Sequence, residues 1–298
     1  MLRATTGQNP AQPPPARMTA IFATLFLVSG CASAALDGGG SLSSYDGLTQ
    51  SDGLFAKSKL SVNKDEVLAA RTVRIVPTIF AVKARVEGIT DEQRKLIANA
   101  VDRSLCAGLS ERFTVVTTED ADLTVYALVT QMTPTDEKAV AATKVASVAK
   151  SVLLPGVPVP TPRLPIGLGT LSMEAEARSR NGRQQAAMVW GRGANALFGT
   201  ARISPSGDAY EFAGAFGDDF SKMLVTGKSP FGTLPSAPSF DRMQSQAGGA
   251  PKYAACAAFG REPGLVGLVG GVVGAPPEWT DKGLDKSSDT DTASAPAQ

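Results

Sequence analysis

The chain has 298 residues, 43% of them hydrophobic and 19% charged, so it is long enough to bury one sizeable core. Its 29 lysines and arginines almost balance 28 aspartates and glutamates, and this near-zero net charge argues against nucleic-acid binding. It contains no histidine, which excludes Ser-His-Asp and Cys-His nucleophilic catalysis as well as histidine metal ligands.

An apolar run over residues 20–28 lies near the N-terminus and ends in Val28-Ser29-Gly30-Cys31. The run is too short for a spanning helix, which needs about 20 residues. Its length, its small C-terminal residues and the preceding Arg3 and Arg17 are typical of a signal peptide. The alternative is a buried segment that ends in a cysteine by chance.

This segment resembles the lipobox of bacterial lipoproteins, in which signal peptidase II cuts before the cysteine and the thiol is diacylglycerated. The resemblance implies a signal peptide over residues 1–30, cleavage between Gly30 and Cys31, and a lipid anchor on Cys31. Two acyl chains bind a membrane stably, whereas one binds marginally. Because Ala32 rather than aspartate follows, the resemblance further implies the outer membrane of the bacterial envelope, facing the periplasm.

Residues 31–64 have the composition of a lipidated cysteine followed by a flexible tether that contains Gly38-Gly39-Gly40. Fully extended, such a segment would reach about 100 Å from the membrane. Within it, Leu42, Tyr45 and Leu48 form a small apolar motif that is able to dock on the folded body.

The folded body is predicted over residues 65–228 and begins with a strand over residues 73–80, with Val73, Ile75 and Ile79 on one face. Pro77 places this strand at a sheet edge or a strand end. A helix follows, because Thr90 and Gln93 form a capping box. Its apolar stripe consists of Ile97, Ala100, Val101, Leu105 and Leu109.

Residues 113–117 and 123–132 are predicted strands, and the second is apolar on both faces, as in a central strand. The next helix is predicted over residues 136–154, with Thr133 as its cap and Pro134 at its first position. Its apolar stripe either packs on the core or lies in a membrane headgroup plane. The stripe consists of Ala141, Val145, Val148, Ala149 and Val152.

Two strands, residues 171–178 and 184–190, are joined across Asn181-Gly182, which favours a hairpin with a type I′ turn. The last helix of the body is predicted over residues 208–225. Its buried stripe consists of Ala209, Phe212, Phe216, Phe220, Met223 and Leu224. This order of elements predicts an α/β (α+β) fold, a two-layer sandwich of a mixed, largely antiparallel sheet with two to three amphipathic helices.

After the body, residues 229–280 are a Pro/Gly-rich extension and residues 281–298 have the composition of a disordered tail. Residues 264–274 carry small residues at the spacing of close helix packing, but a Gly-rich loop packed on the body is favoured over a membrane helix. Cys106 and Cys256 form either a disulfide, worth about 4 kcal/mol for so long a loop, or two buried free thiols.

The motifs that point to chemistry are weak. Gly227-Lys228-Ser229 lacks the glycine of a phosphate loop, because Lys222 occupies that position. A dinucleotide-like pattern at Gly191 and Gly193 follows a strand of the hairpin rather than opening a crossover helix. The acidic pairs at 119–120 and 218–219 have no third carboxylate cluster nearby. We therefore expect no catalytic residue, no cofactor and no metal site.

Several segments together resemble a family of uncharacterised bacterial lipoproteins that is defined only as a domain of unknown function. They are residues 42–48, the strand 73–77, the hairpin 173–190 and the helix after it. The resemblance implies an envelope lipoprotein without an assigned activity. We expect a non-enzymatic assembly, transport-accessory or structural component that contacts the membrane through its lipid and possesses envelope protein partners. A carrier of a lipid or apolar ligand, held between the sheet and the helix 136–154, ranks second, and a histidine-independent hydrolase ranks third.

Overall fold

The sheet at the centre of the protein has eight strands in the order β1-β2-β8-β7-β6-β3-β5, with β4 beside β6. The computed structural model describes residues 34–153, 163–196, 201–232 and 239–283. The strands are β1 Thr49–Gln50, β2 Ala56–Val62, β3 Thr72–Ile75, β4 Ile79–Phe80, β5 Thr114–Val115, β6 Leu123–Thr133, β7 Thr170–Ser179 and β8 Gln184–Gly193. The helices are α1 Lys64–Ala69, α2 Asp91–Leu109, α3 Glu137–Leu153, α4 Gly207–Thr226, α5 Phe240–Gln246, α6 Gly264–Val273 and α7 Pro277–Thr280, with 3₁₀ helices at Val82–Ala84 and Ala254–Phe259.

The predicted fold class is confirmed: the molecule is a mixed α/β structure with a largely antiparallel sheet. Among the described strands, β3 runs parallel to β5 and β6, and β4 runs parallel to β6. The longer pairings, β2 with β8, β8 with β7 and β7 with β6, are antiparallel. The strand predicted over residues 123–132 is central, since β6 has partners on both sides.

Helices α2 and α4 pack together on one face of the sheet, which we call the inner face, and bury the apolar stripes that periodicity predicted for them. Helix α2 begins with the predicted capping box of Thr90 and Gln93. The aromatic centre of this core joins sheet and helix: the ring of Trp190 meets Phe216 edge-on at 5.6 Å, and Phe216 stacks on Phe220 at 6.1 Å. The core therefore depends on contacts between β8 and α4.

The hairpin β7–β8 forms where Asn181-Gly182 predicted it, but the type I′ turn is wrong. Among the described residues, only glycines have positive φ angles, so Asn181 does not; Gly182 has φ +80°. The N–H of Gly182 donates to the carbonyl of Ser179, and the N–H of Ser179 donates to the carbonyl of Arg183. This is a type I turn followed by one left-handed residue, a loop that needs a single glycine rather than two residues with positive φ.

The segment predicted as a flexible tether is part of the fold. Strand β2 pairs with β8 from Ala56 opposite Arg192 to Val62 opposite Ala186, and it buries alternate residues. The folded body therefore begins well before residue 65, because a strand with period-2 burial completes the sheet edge. At the other end, Asp281 is buried rather than the start of a disordered tail; residues 284–298 lie outside the described residues.

The strand predicted over residues 73–80 is interrupted at Pro77, which separates β3 from β4. Val73 and Ile75 are buried as expected, but Ile79 is 63% exposed because the break changes the face it presents. The buried carboxylate of Asp102 on α2 contacts the backbone at the break. It accepts hydrogen bonds from the N–H of Thr78 at 3.1 Å and from its hydroxyl at 2.6 Å.

Helix α3 differs from the prediction in its start and in its buried face. Strand β6 continues through Thr133, and the side chain of Asp136 accepts from the N–H groups of residues 138 and 139, so Asp136 rather than Thr133 caps the helix. Val140 is buried, whereas Val145 and Ala149 of the predicted stripe are exposed. These two residues do not pack on the core, because the inner face of the sheet is already covered by α2 and α4.

Replacement of Phe216 by alanine should lower the free energy of unfolding by about 3–5 kcal/mol, because it leaves a cavity between Trp190 and Phe220. Urea unfolding followed by circular dichroism measures this change. The control is Val82→Ala, since Val82 is 87% exposed and its loss should change stability by less than about 0.5 kcal/mol. Equal effects of the two substitutions would contradict the assignment of the core.

Burial raises the pKa of Asp102 from 3.8 to about 6, although the hydrogen bonds from Thr78 oppose the shift. The folded state therefore binds more protons than the unfolded state between about pH 4 and pH 6, and this carboxyl destabilises the fold as pH rises. Asp102→Asn should be close to wild type at pH 4 and more stable at pH 7, by at most about 3 kcal/mol.

Urea unfolding across this pH range measures the difference. Asp91→Asn is the control, because Arg94 lowers the pKa of the exposed Asp91 carboxyl. The ionised Asp91 carboxylate adds stability only above its unfolded-state pKa, and Asp91→Asn removes it. At pH 7 the control should therefore be less stable than wild type, whereas Asp102→Asn should be more stable. A pH-independent difference between Asp102→Asn and wild type would contradict the prediction.

Candidate functional site

Two carboxylates are buried on the outer face of the sheet, opposite α2 and α4. Glu174 and Glu176 on β7 are 0% and 1% exposed. Glu174 accepts hydrogen bonds from the N–H of Gly39 and the N–H of Ser41, both at 2.8 Å. It also accepts from the hydroxyl of Tyr45 at 2.8 Å. All these donors belong to the segment that precedes β1, so this segment is pinned to the middle of the sheet.

Glu176 binds the next part of the same segment. It accepts from the N–H of Ser43 at 2.9 Å, from the amide of Gln184 at 2.9 Å and from the guanidinium of Arg178. Leu42, between the two serines, is buried against Val189 and Ala187 of β8. The docking motif around residues 42–48 therefore lies on the outer face, held by charge-assisted hydrogen bonds as well as by apolar contact.

The first described residues lie at one end of the sheet. The carbonyl of Ala35 accepts from the hydroxyl of Ser172 at 2.7 Å, and Gly191 lies against Ala34 and Leu36. Gly191 and Gly193 belong to strand β8, where they are part of the sheet rather than a nucleotide-binding loop. Gly30 and Cys31 lie outside the described residues, and Cys31 precedes Ala34 by three positions. Three residues span at most about 11 Å.

This end of the sheet, which we call the Ala34 end, is where β2 starts, β6 ends, β7 starts and β8 ends. The register places Ala56 opposite Arg192, and Thr170 opposite both Thr133 and Gly193. Helix α4 also starts here, since the carboxylate of Asp208 accepts from the N–H of Gly169 at 2.9 Å. Several elements therefore share this end.

Exposed apolar side chains lie at the Ala34 end on separate elements. Leu54 precedes β2, Ile166 lies before β7, and Val145 is on α3, which follows β6. The backbone connects α6 to the same end, because the N–H of Ile203 donates to the carbonyl of Gly274 at 2.9 Å. Trp279 on α7 is 70% exposed beside a groove of about 610 Å³ that also contains Ile203 and Val273.

Helix α6 corrects the expectation of a Gly-rich loop. Its glycines face the body: Gly267, Gly270 and Gly271 are buried. Its six large apolar side chains point to solvent, with exposures between 58% and 71%. They are Leu265, Val266, Leu268, Val269, Val272 and Val273. Among the described residues, one helical stretch, Ala254–Val273, is apolar and long enough to cross a membrane. Helix α6 itself has ten residues, whereas a spanning helix needs about 20.

The C-terminal region that carries α6 and α7 is fastened to α2 covalently and by charge. Cys106 of α2 and Cys256 form a disulfide. Arg103 of α2 pairs with Asp281, and Tyr210 donates to the same carboxylate at 2.7 Å. A buried ion pair of this kind positions its partners more than it adds net stability. Together the disulfide and the ion pair hold the region on both sides of α6.

Charged side chains surround the opposite end of the sheet, at the β7–β8 turn. Arg180 pairs with Asp122 at 3.1 Å, and Glu66 and Arg183 line the same shallow depression. Helix α5, which lies near the C-terminal end of α2 through the pair Arg242–Glu111, exposes its own apolar side chains there. This end therefore combines charged pairs around the β7–β8 turn with exposed apolar residues on α5.

The acidic pairs singled out in the sequence have structural partners. Asp218 accepts from Ser104 at 2.7 Å and pairs with Arg242. Asp219 accepts from the indole of Trp190 at 2.9 Å, and burial raises the pKa of this carboxyl to about 6. Glu119 is exposed near Arg74. Within the described ranges, His, Cys, Asp and Glu side chains form no group of three that is able to hold a metal ion.

Parts of both faces of the sheet are covered by other segments of the chain. Helices α2 and α4 cover the inner face of the sheet, and residues 39–45 cover the outer carboxylates. Sequence reasoning did not single out Glu174 and Glu176 as a binding pair. Two features of the sequence could have indicated this pair. The glutamates alternate with apolar residues along one strand, and serines at 41 and 43 have the same spacing of two residues.

The chain is similar to one protein family in sequence and to two solved structures in fold. A family model described as "Protein of unknown function (DUF3313)" matches residues 38–220, which is 183 of 298 residues. No curated protein matches the chain. A PelC dodecamer from Paraburkholderia phytofirmans is similar at 8% identity and a TM-score of 0.34, covering 58% of this chain and 99% of that chain. A DUF4136 family protein from Bacteroides thetaiotaomicron is similar at 11% identity and a TM-score of 0.28, covering 60% and 100%. At this level of similarity, neither structure informs the role of this chain.

Glu174→Gln should release the segment around residues 39–45, because an amide nitrogen would face one of the N–H groups that the carboxylate now binds. We expect hydrogen exchange of the Gly39 and Ser41 amides to accelerate about 10- to 100-fold, as measured by mass spectrometry on peptides from this segment. Glu119→Gln, at a carboxylate with 90% exposure, is the control and should leave the exchange unchanged. Identical exchange in both variants would mean that Glu174 does not pin the segment.

Proposed function

The chain belongs to the DUF3313 family of proteins of unknown function, and from that premise we propose that it is a lipid-anchored lipoprotein of the bacterial envelope. Its anchor is Cys31, and its membrane is the outer membrane, with the folded body in the periplasm. It acts without catalysis, as an assembly, transport-accessory or structural component whose envelope protein partners bind a body held at the membrane.

The observation that carries this proposal is the short distance between the anchor and the fold. Cys31 precedes Ala34 by three positions, and from Ala35 onward the chain is bound to the sheet through Ser172, Glu174 and Glu176. A lipid on Cys31 would therefore hold the Ala34 end within about 11 Å of the attachment point. A tether of about 33 residues would not restrict the body in this way.

The use of the polar side chains supports a role in binding rather than catalysis. The chain has no histidine. The buried carboxylates of Glu174, Glu176, Asp102 and Asp208 each accept hydrogen bonds from backbone N–H groups that they hold in place. These carboxylates are already hydrogen-bonded within the fold, so they are poor candidates for catalytic groups. A protein partner or the membrane is therefore a better candidate than a substrate for what the body contacts.

Cys31→Ser should abolish lipid attachment and cleavage by signal peptidase II. In wild type, mass spectrometry should find a mature N-terminal peptide that starts at Cys31 and carries the diacylglyceryl mass, and the protein should sediment with the outer membrane. Ser29→Ala, two positions before the cysteine, keeps the acceptor thiol and should behave as wild type. Unchanged processing and location in Cys31→Ser would overturn the proposed function.

A further inference from the structure

We propose that the exposed face of α6, together with Trp279, is a second membrane contact, which inserts into the headgroup region of the bilayer that holds Cys31. This inference rests on the proposed function, because it uses the position of the anchor. It adds a non-covalent surface that fixes the orientation of the body on the membrane.

The apolar face of α6 is continuous. At about 100° per residue, its six large apolar side chains occupy an arc of about 160°, and its glycines occupy the other side. The helix sequence, GLVGLVGGVV, contains no charged residue. A solvent-exposed helix of a globular protein normally shows polar residues on its outer side, so this helix has the reverse polarity. An exposed apolar surface of this kind is typical of a contact site.

Helix α6 is held so that this face cannot turn inward. Arg202 donates to the carbonyl of Gly267 at 3.0 Å, and Lys144 of α3 donates to the carbonyl of Val272 at 3.2 Å. A Cβ atom added at Gly271 would lie 3.0 Å from the guanidinium of Arg202, so the glycine side of the helix is in close contact with the body. The outward direction of the leucines and valines is thus a consequence of how the glycines pack.

The position of the first described residue identifies the bilayer as the occupant. Ala34 lies at the end of the sheet that also carries the end of α6, Leu54, Val145 and Ile166. The C-terminal end of α6 and exposed apolar residues of three other elements therefore lie at the end that Cys31 would tether. Trp279 beside α6 adds a residue type that is enriched at membrane–water interfaces. An amphipathic surface beside a lipid anchor supplies the second signal that strengthens membrane binding.

The test uses the mature chain without its lipid, residues 32–298, produced behind a cleavable signal peptide that is not a lipoprotein signal. Vesicles of phosphatidylethanolamine and phosphatidylglycerol are the probe, and co-sedimentation measures partitioning. The chain has two tryptophans, and Trp190 is buried, so a blue shift of the emission and quenching by brominated lipid report on Trp279. We expect the unlipidated wild type to bind the vesicles and to show both signals.

The variant Leu268→Asp/Val272→Asp places two charges on the exposed face, at residues that are 67% and 65% exposed, and should weaken partitioning at least 10-fold. The matched control is Phe240→Asp/Met243→Asp on the neighbouring helix α5, which changes two exposed apolar residues outside the α6 face. It should bind vesicles as wild type does. Circular dichroism of both variants establishes that each is folded.

Three results would overturn the inference: wild type that does not bind vesicles, equal binding by the α6 variant, or an equal loss in the control. A concentration-dependent oligomer that the α6 substitutions abolish, without vesicle binding, would assign the face to a second copy of the chain instead. The mass of the Cys31 peptide is measured separately. An unlipidated Cys31 combined with vesicle binding overturns the proposed function alone, whereas a lipidated Cys31 without an α6 effect overturns this inference alone.

Discussion

Two buried carboxylates on the outer face of the sheet are the constraint on which the rest of the structure depends. Glu174 and Glu176 alternate with residues that pack on α2 and α4, so the strand directs them away from the core. A buried carboxylate without partners is very costly, and here backbone N–H groups of residues 39–43 supply those partners. This requirement turns a segment of flexible composition into an ordered cover for the sheet.

The ordered cover has consequences for the whole molecule. Because the chain is bound to β7 from Ala35 onward, the first described residues are fixed at one end of the sheet. The disulfide Cys106–Cys256 and the pair Arg103–Asp281 then position α6 and α7 at the flank of α2. The result is a molecule whose Ala34 end carries exposed apolar side chains and whose other end carries charged pairs beside the exposed apolar residues of α5. Each end is assembled from segments far apart in sequence.

Local patterns predicted the elements well where the periodicity was complete. The capping box at Thr90 and the stripes of α2 and α4 were interpreted correctly, because the apolar residues of each stripe are buried in the core. Residues 136–154 were predicted as a helix with a buried stripe, yet Val145 is exposed. Periodicity reports that a helix has an apolar side but not whether a neighbour covers it, and here α2 and α4 already occupy the sheet.

By itself, the sequence determined the main helices, the hairpin around Gly182, the class of fold and the chemical candidates for an anchor and a disulfide. Spacing of apolar residues, caps and turn glycines encodes these features locally. Only the tertiary structure decided that residues 34–62 belong to the body, that Glu174 and Glu176 bind them, and that the glycines of α6 face inward. These three features depend on partners more than 100 positions away in several cases, and no local pattern specifies which partner a buried or exposed face will meet.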